Sequence, residues 1–118
     1  MPRNRESKIK IDPESASKIL RTVPPEKSFL FFTDIGQYVG EFAQSLEDFY
    51  EKISVVPLKS LDFHFKRGDF EKWIRGTLGD AYLADRISRI NKSIQIEKLR
   101  TTLKRIVKRR LNQLMAKK

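Results

Sequence analysis

The chain has 118 residues, 25 Lys and Arg against 15 Asp and Glu for a net charge of +10, 39% hydrophobic residues and no cysteine. That length and apolar content suit one small domain with a modest core and extensions, and leave little room for a large enzyme built around a deep cleft. The lack of cysteine and the single histidine exclude disulfide frameworks, thiolate zinc sites and His-rich metal clusters, so neither a metal nor a cofactor is expected.

Residues 1–11 read as a flexible basic arm, because Arg3, Arg5, Lys8 and Lys10 face only Glu6 among the first ten positions. The start, Met1-Pro2-Arg3-Asn4-Arg5, lacks the apolar stretch of a signal peptide, and no apolar run reaches about 18 residues. A soluble, cytoplasmic protein without integral membrane association is the expectation. Asp12-Pro13-Glu14 then signals a helix start: Asp caps free amides, Pro is tolerated at the first helical position, and Glu faces the positive end of the dipole. Ala16, Ile19, Leu20 and Val23 follow at helical spacing until Pro24-Pro25 stops them.

Phe29 to Thr33 is a short apolar run that predicts a buried strand, and Asp34-Ile35-Gly36 supplies a turn. Gln37 to Phe42 returns as a partner strand with imperfect alternation, weakened by Gly40. Ser45 with Asp48 resembles a capping box in which Asp replaces Glu, ahead of a stripe of Leu46, Phe49, Tyr50 and Ile53. Pro57 is the next boundary. Leu58, Leu61 and Phe65 fall at helical spacing, Gly68 breaks the run, and Asp69 is predicted to cap a helix lined by Phe70, Trp73, Ile74 and Leu78. Gly79 ends that helix and Asp80 caps another, with Leu83, Ile87 and Ile90 on one face and a break near Asn91 to Ser93. The predicted class is mainly α (α+β): a small helical domain over 12–92 with one short β-hairpin, and a basic amphipathic helix over 93–118.

Within that domain, Phe63-His64-Phe65-Lys66-Arg67-Gly68-Asp69-Phe70-Glu71-Lys72-Trp73-Ile74 and Leu78-Gly79-Asp80 carry a resemblance. Together with Phe29 to Thr33 and Ser45 to Phe49, they resemble a family of short, functionally uncharacterised domains found mainly in archaea, sometimes alone and sometimes beside sugar-active enzymes. Its signature is His-x-x-x-Gly-Asp-Phe-x-x-Trp-Ile. The resemblance covers roughly residues 28–90, implies a fold more than a function, and brings no catalytic residues with it.

His64, within reach of Asp62 or Asp69, has the chemistry of a general base or a metal ligand, but no nucleophile, paired carboxylate or Gly-rich phosphate loop accompanies it. A structural role is favoured, such as a ring nitrogen bonded to Asp69 or to a backbone carbonyl, and no enzyme is predicted. Arg67-Gly68-Asp69 spells an adhesion tripeptide, yet reads more simply as a joint between helices. The aromatic side chains suit core packing, with Phe31 and Tyr38 as exceptions open to base stacking.

The charge is segregated. Residues 86–118 hold twelve Lys and Arg against Glu97 alone, whereas residues 1–85 are near neutral. In a helix, Ile96, Leu99, Leu103, Ile106, Val107, Leu111 and Leu114 fall within an arc of about 140°, with Arg110 interrupting it and Lys98, Lys104, Arg105, Lys108 and Arg109 opposite. The recurrence is closer to eleven residues than to heptads, so packing on its own domain or on a second copy is expected rather than an ordinary coiled coil. The predicted function is sequence-tolerant binding of DNA or structured RNA, in a nucleoid or ribosomal particle. Its predicted contacts are Lys98, Arg100, Lys104, Arg105, Lys108, Arg109, Arg110, Lys117 and Lys118, joined by Arg3 and Arg5 of the arm. The alternative is a protein-interaction module, or a homodimer, that docks through this helix on an acidic partner or an enzyme. An amphipathic membrane-surface helix is a weaker rival, since its apolar face carries no Trp or Phe. Because the charge block and the resembling stretch lie apart, removing residues 94–118 is expected to leave 11–90 folded.

Overall fold

The computed structural model describes residues 11–118. Helix α1 (Pro13–Leu20) starts as its sequence predicts, with Asp12 Oδ1 accepting from the Ser15 amide at 2.6 Å. It buries Ala16 and Ile19. Val23, beyond the helix end, is also buried, and it is fixed by reciprocal bonds with Gln44: Val23 N donates to the Gln44 carbonyl at 2.7 Å and Gln44 Nε2 donates to the Val23 carbonyl at 2.9 Å. A short 3-10 turn over Pro25–Lys27 leads into strand β1 (Phe29–Phe32), which pairs antiparallel with β2 (Tyr38–Ala43).

The hairpin register explains the imperfect alternation of the second strand. Leu30 faces Phe42 but Phe32 faces Tyr38, so two steps along β1 answer four along β2. The surplus is absorbed around Gly40, whose φ of 84° lies in the left-handed region that glycine adopts without steric cost. Phe29 and Phe31 point inward, while Leu30, Tyr38 and Phe42 remain exposed on the outer face. Phe31, one of the two aromatics held open for stacking, is therefore core. Tyr38 is the one left at the surface.

Helix α2 (Leu46–Val55) has the cap half of the predicted box, with the Ser45 hydroxyl accepting from the Asp48 amide at 3.1 Å, while the Asp48 carboxylate accepts from the Gln44 amide, one residue before the cap, at 3.2 Å. Helix α3 (Leu58–Arg67) ends at Gly68, with φ of 75°, and α4 (Asp69–Trp73) follows at once. Asp69 does not cap α4, as its sequence position suggests. Its carboxylate turns back toward His64 and Arg67 instead, because a buried imidazole N–H needs an acceptor more than a solvated helix start does. A π-helical turn (Ile74–Leu78) extends α4 to Gly79, and Asp80 caps α5 (Ala81–Ser88) through the Leu83 amide at 3.1 Å.

The chain breaks at Asn91, whose side chain accepts from the Ser93 amide, and resumes as α6 (Ile96–Lys117), about 33 Å long at 1.5 Å per residue. Helices α2 and α3 form a middle layer, with the hairpin on one side and α6 on the other. α6 also packs on α1 and α5, and Leu99, Leu103, Val107, Leu111 and Leu114 join the same buried cluster as Phe49, Phe65 and Trp73. The stripe thus packs on its own domain. Removing residues 94–118, which the sequence alone suggests would leave 11–90 folded, would uncover the apolar surface of the domain that this stripe buries. Among the described residues, no helix is long and apolar enough to cross a membrane.

Candidate nucleic-acid interface

An outward helix face is a cationic surface where its long side chains reach solvent. Exposed positions on α6 from Lys98 to Asn112 are Lys98, Thr101, Arg105, Lys108, Arg109 and Asn112, all polar, and beyond them Met115 and Ala116 are exposed apolar residues. From Lys98 to Arg109 they span about 16 Å of helix. Arg105, Lys108, Arg109, Asn112 and Gln113 line a shallow depression of about 490 Å³. Lys117 and Lys118 are exposed at the end of the helix.

Two of the predicted contacts are drawn sideways onto α2. Arg100 donates from Nε to the Ile53 carbonyl at 2.9 Å and from a terminal nitrogen to the Val56 carbonyl, so it caps the end of α2. Lys104 bonds the Ser54 hydroxyl, and its ammonium sits 4.8 Å from the centre of the Tyr50 ring. Both serve the α2–α6 contact, using the attraction of cations for helix C-termini and aromatic faces. Lys108 shares the Tyr50 ring at 5.4 Å but remains exposed.

Arg110 requires a correction, since it is a core residue with only 5% of its surface exposed. Its Nε donates to Asp80 Oδ2 at 2.8 Å and a terminal nitrogen donates to Asp80 Oδ1 at 2.9 Å, a bidentate pair whose acid is 1% exposed. The Tyr82 ring lies 4.6 Å away, and Gln113 accepts a further bond at 3.1 Å. Lying within the apolar arc, Arg110 finds the capped start of α5 beneath it and pairs there rather than reaching out to solvent. Arg3 and Arg5 lie outside the described residues.

The second cluster surrounds His64. The Phe32 amide donates to Nε2 at 2.8 Å, and an N–H can only donate, so the proton sits on Nδ1, which donates to Asp69 Oδ2 at 2.8 Å. The ring is buried against Phe29, Phe63 and Phe70. Burial pushes the imidazole pKa below its usual 6.5, against the opposing hydrogen bond and charge of Asp69. With both nitrogens engaged, His64 clamps β1 to α3 and to the start of α4. Trp73 adds a second tie by donating from its indole to the Lys27 carbonyl at 2.8 Å. Among the described residues, no three His, Asp or Glu side chains group as a metal site would.

Every element of the motif now has a physical place. His64 and Asp69 form the clamp, Gly68 and Gly79 take the left-handed conformation, Phe70, Trp73 and Ile74 are core, and Asp80 holds Arg110. The last contact binds the Leu-Gly-Asp segment to α6, so the motif and the basic helix are parts of one fold. The chain belongs to the family of unknown function DUF5752. The family model matches residues 26–118, which includes α6 and extends well past the stretch of 28–90 that carries the motif resemblance. No curated protein and no solved structure matches this DUF5752 chain.

Sequence reasoning missed the aromatic cleft beside the clamp, where Phe32, Phe63 and Trp73 meet Arg67. The only signal was the interleaving of Phe63, His64 and Phe65 on one helix. Positions two apart on a helix point about 200° apart, so Phe63 and Phe65 cannot share one buried face, and Phe65 is the one in the core.

Proposed function

We propose that the protein is a non-enzymatic accessory factor that binds DNA or structured RNA through phosphate contacts from the outer face of α6. The contacts are Lys98, Arg105, Lys108 and Arg109, with Lys117 and Lys118 at the helix end. A nucleoid- or ribosome-associated role in the cytoplasm follows from that chemistry. The observation that carries the reading is that every exposed position from Lys98 to Asn112 is polar or cationic, and none is acidic or apolar. A protein interface needs an apolar centre, whereas a phosphate backbone needs spaced cations alone. The same face has no aromatic side chain for stacking single-stranded bases and no evident array for reading base edges, which favours duplex or structured backbones and little sequence preference.

Four to six phosphate contacts give a slope of log K against log salt of about −3.5 to −5.5 on duplex DNA, at about −0.9 per contact. Binding titrations at several salt concentrations test this, with the combined change Lys98→Gln, Arg105→Gln and Lys108→Gln expected to reduce the slope by up to about three. A flat salt dependence, or binding to an acidic protein while DNA and RNA fail at low salt, would reject the reading and leave the docking alternative.

A further inference from the structure

The hairpin side of the molecule, across α2 and α3 from the basic helix, holds a cleft of about 320 Å³. Its walls are Phe29, Leu30, Phe32, Phe63 and Trp73, and its polar rim is Arg67, Asp69 and Asp34. That volume is at the small end of ligand clefts, about 300 to 1,000 Å³, and suits a single ring with a short chain.

Arg67 is the feature that gives the cleft a chemical preference. Its Nε donates to Asp69 Oδ2 at 3.0 Å, and its guanidinium lies 4.9 Å from the centre of the Phe63 ring. Asp69 is itself held by His64 at 2.8 Å, so the guanidinium is anchored from one edge and one face. Its two terminal nitrogens make no hydrogen bond among the described residues, and the side chain is 49% exposed. A fork fixed in this way needs little further ordering to grip a carboxylate through parallel hydrogen bonds. The charge of Asp69 is answered by two donors. Asp34, whose Oδ1 accepts from the Ile35 amide at 2.7 Å, adds a second carboxylate to the lining, with no ion-pair partner among the described residues. It penalises a second anionic group, which selects monoanions over phosphates and dicarboxylates.

We propose that this cleft binds a small monocarboxylic acid with a flat aromatic body, its ring among Phe32, Phe63 and Trp73 and its carboxylate on the outer edge of Arg67. The site is independent of the phosphate-binding face. Trp73 is the sole tryptophan and lines the cleft, so its fluorescence reports occupancy directly.

The test titrates the full chain with 3-phenylpropionate, 3-phenylpropan-1-ol and 3-phenylpropylamine, followed by Trp73 emission and by amide shifts in a nitrogen-labelled sample. The acid should saturate both signals, with the alcohol at least about tenfold weaker because it lacks the charge-assisted bonds, and the amine weaker still. Arg67→Gln should reduce the acid to the level of the alcohol while leaving the alcohol unchanged, and Asp34→Asn should tighten the acid severalfold. Absence of saturation by either signal up to roughly 10 mM, well above the millimolar affinities that a single-ring ligand reaches, overturns the proposal. An acid preference that survives Arg67→Gln, or an amine that binds as well as the acid, overturns it equally.

Discussion

Replacing Asp80 by Asn isolates the ion pair that fastens α6. Asn caps a helix about as well as Asp, so the bond to the Leu83 amide can persist while the negative charge disappears. What remains is the Arg110 guanidinium, 5% exposed, with its principal acceptor neutralised and little access to solvent. Breaking a buried pair from one side costs about 3 to 5 kcal/mol, against a total stability of about 5 to 15 kcal/mol for a domain of this kind. Asp80→Ala should cost about 1 kcal/mol more, because the cap is lost as well. The double change Asp80→Asn with Arg110→Met should recover most of the loss, since removing both charges from a buried site is often neutral. Urea unfolding followed by Trp73 fluorescence and far-ultraviolet circular dichroism supplies the four corners of the cycle. An Asp80→Asn protein within about 1 kcal/mol of the parent would refute the reasoning, as would a double variant no more stable than that single one.

His64 is the one histidine, so a change of stability between about pH 5 and pH 6.5 is assigned to it with little ambiguity. Its pKa is lowered in the folded protein, so below pH 6.5 the unfolded chain binds more protons; stability is complete above that value and declines as pH falls, and His64→Gln should flatten the profile in this window. Truncation after Ile94 removes five buried aliphatic side chains of α6, at about 2 kcal/mol each about 10 kcal/mol of burial, so the remaining chain should show no cooperative urea transition. A truncated protein with a sharp transition and dispersed amide resonances would show instead that the hairpin and α1 to α5 hold a core without α6.

Much of the candidate interface was legible in the amino-acid order, but its membership was not. A helical wheel assigns each residue a direction, and it placed Lys98, Arg105 and Lys108 outward as observed. It does not say what lies beside the helix. Arg100 and Lys104 have stems long enough to turn sideways, and the carbonyls at the end of α2 and the Tyr50 ring were there to receive them. Arg110 stood out as a break in the apolar stripe, yet its partner is thirty residues away and visible only once α5 and α6 are packed. The cleft was hidden for a related reason, since the hairpin and α3 contribute its walls from separate parts of the chain.

By itself the sequence determined the local elements: the caps at Asp12, Ser45 and Asp80, the glycine stops at Gly68 and Gly79, the apolar stripes, and a class that is mainly helical with one hairpin. These depend on interactions within about four residues, where side-chain chemistry and backbone geometry leave few choices. The tertiary structure alone decided which charges are spent and which remain. It turned Asp69 from a cap into the acceptor for His64, Arg110 from a surface cation into half of a buried pair, and a separable basic tail into the helix that closes the core. Such choices follow from the cost of burying an unpaired polar group, and that cost exists only after distant segments have excluded water from between them.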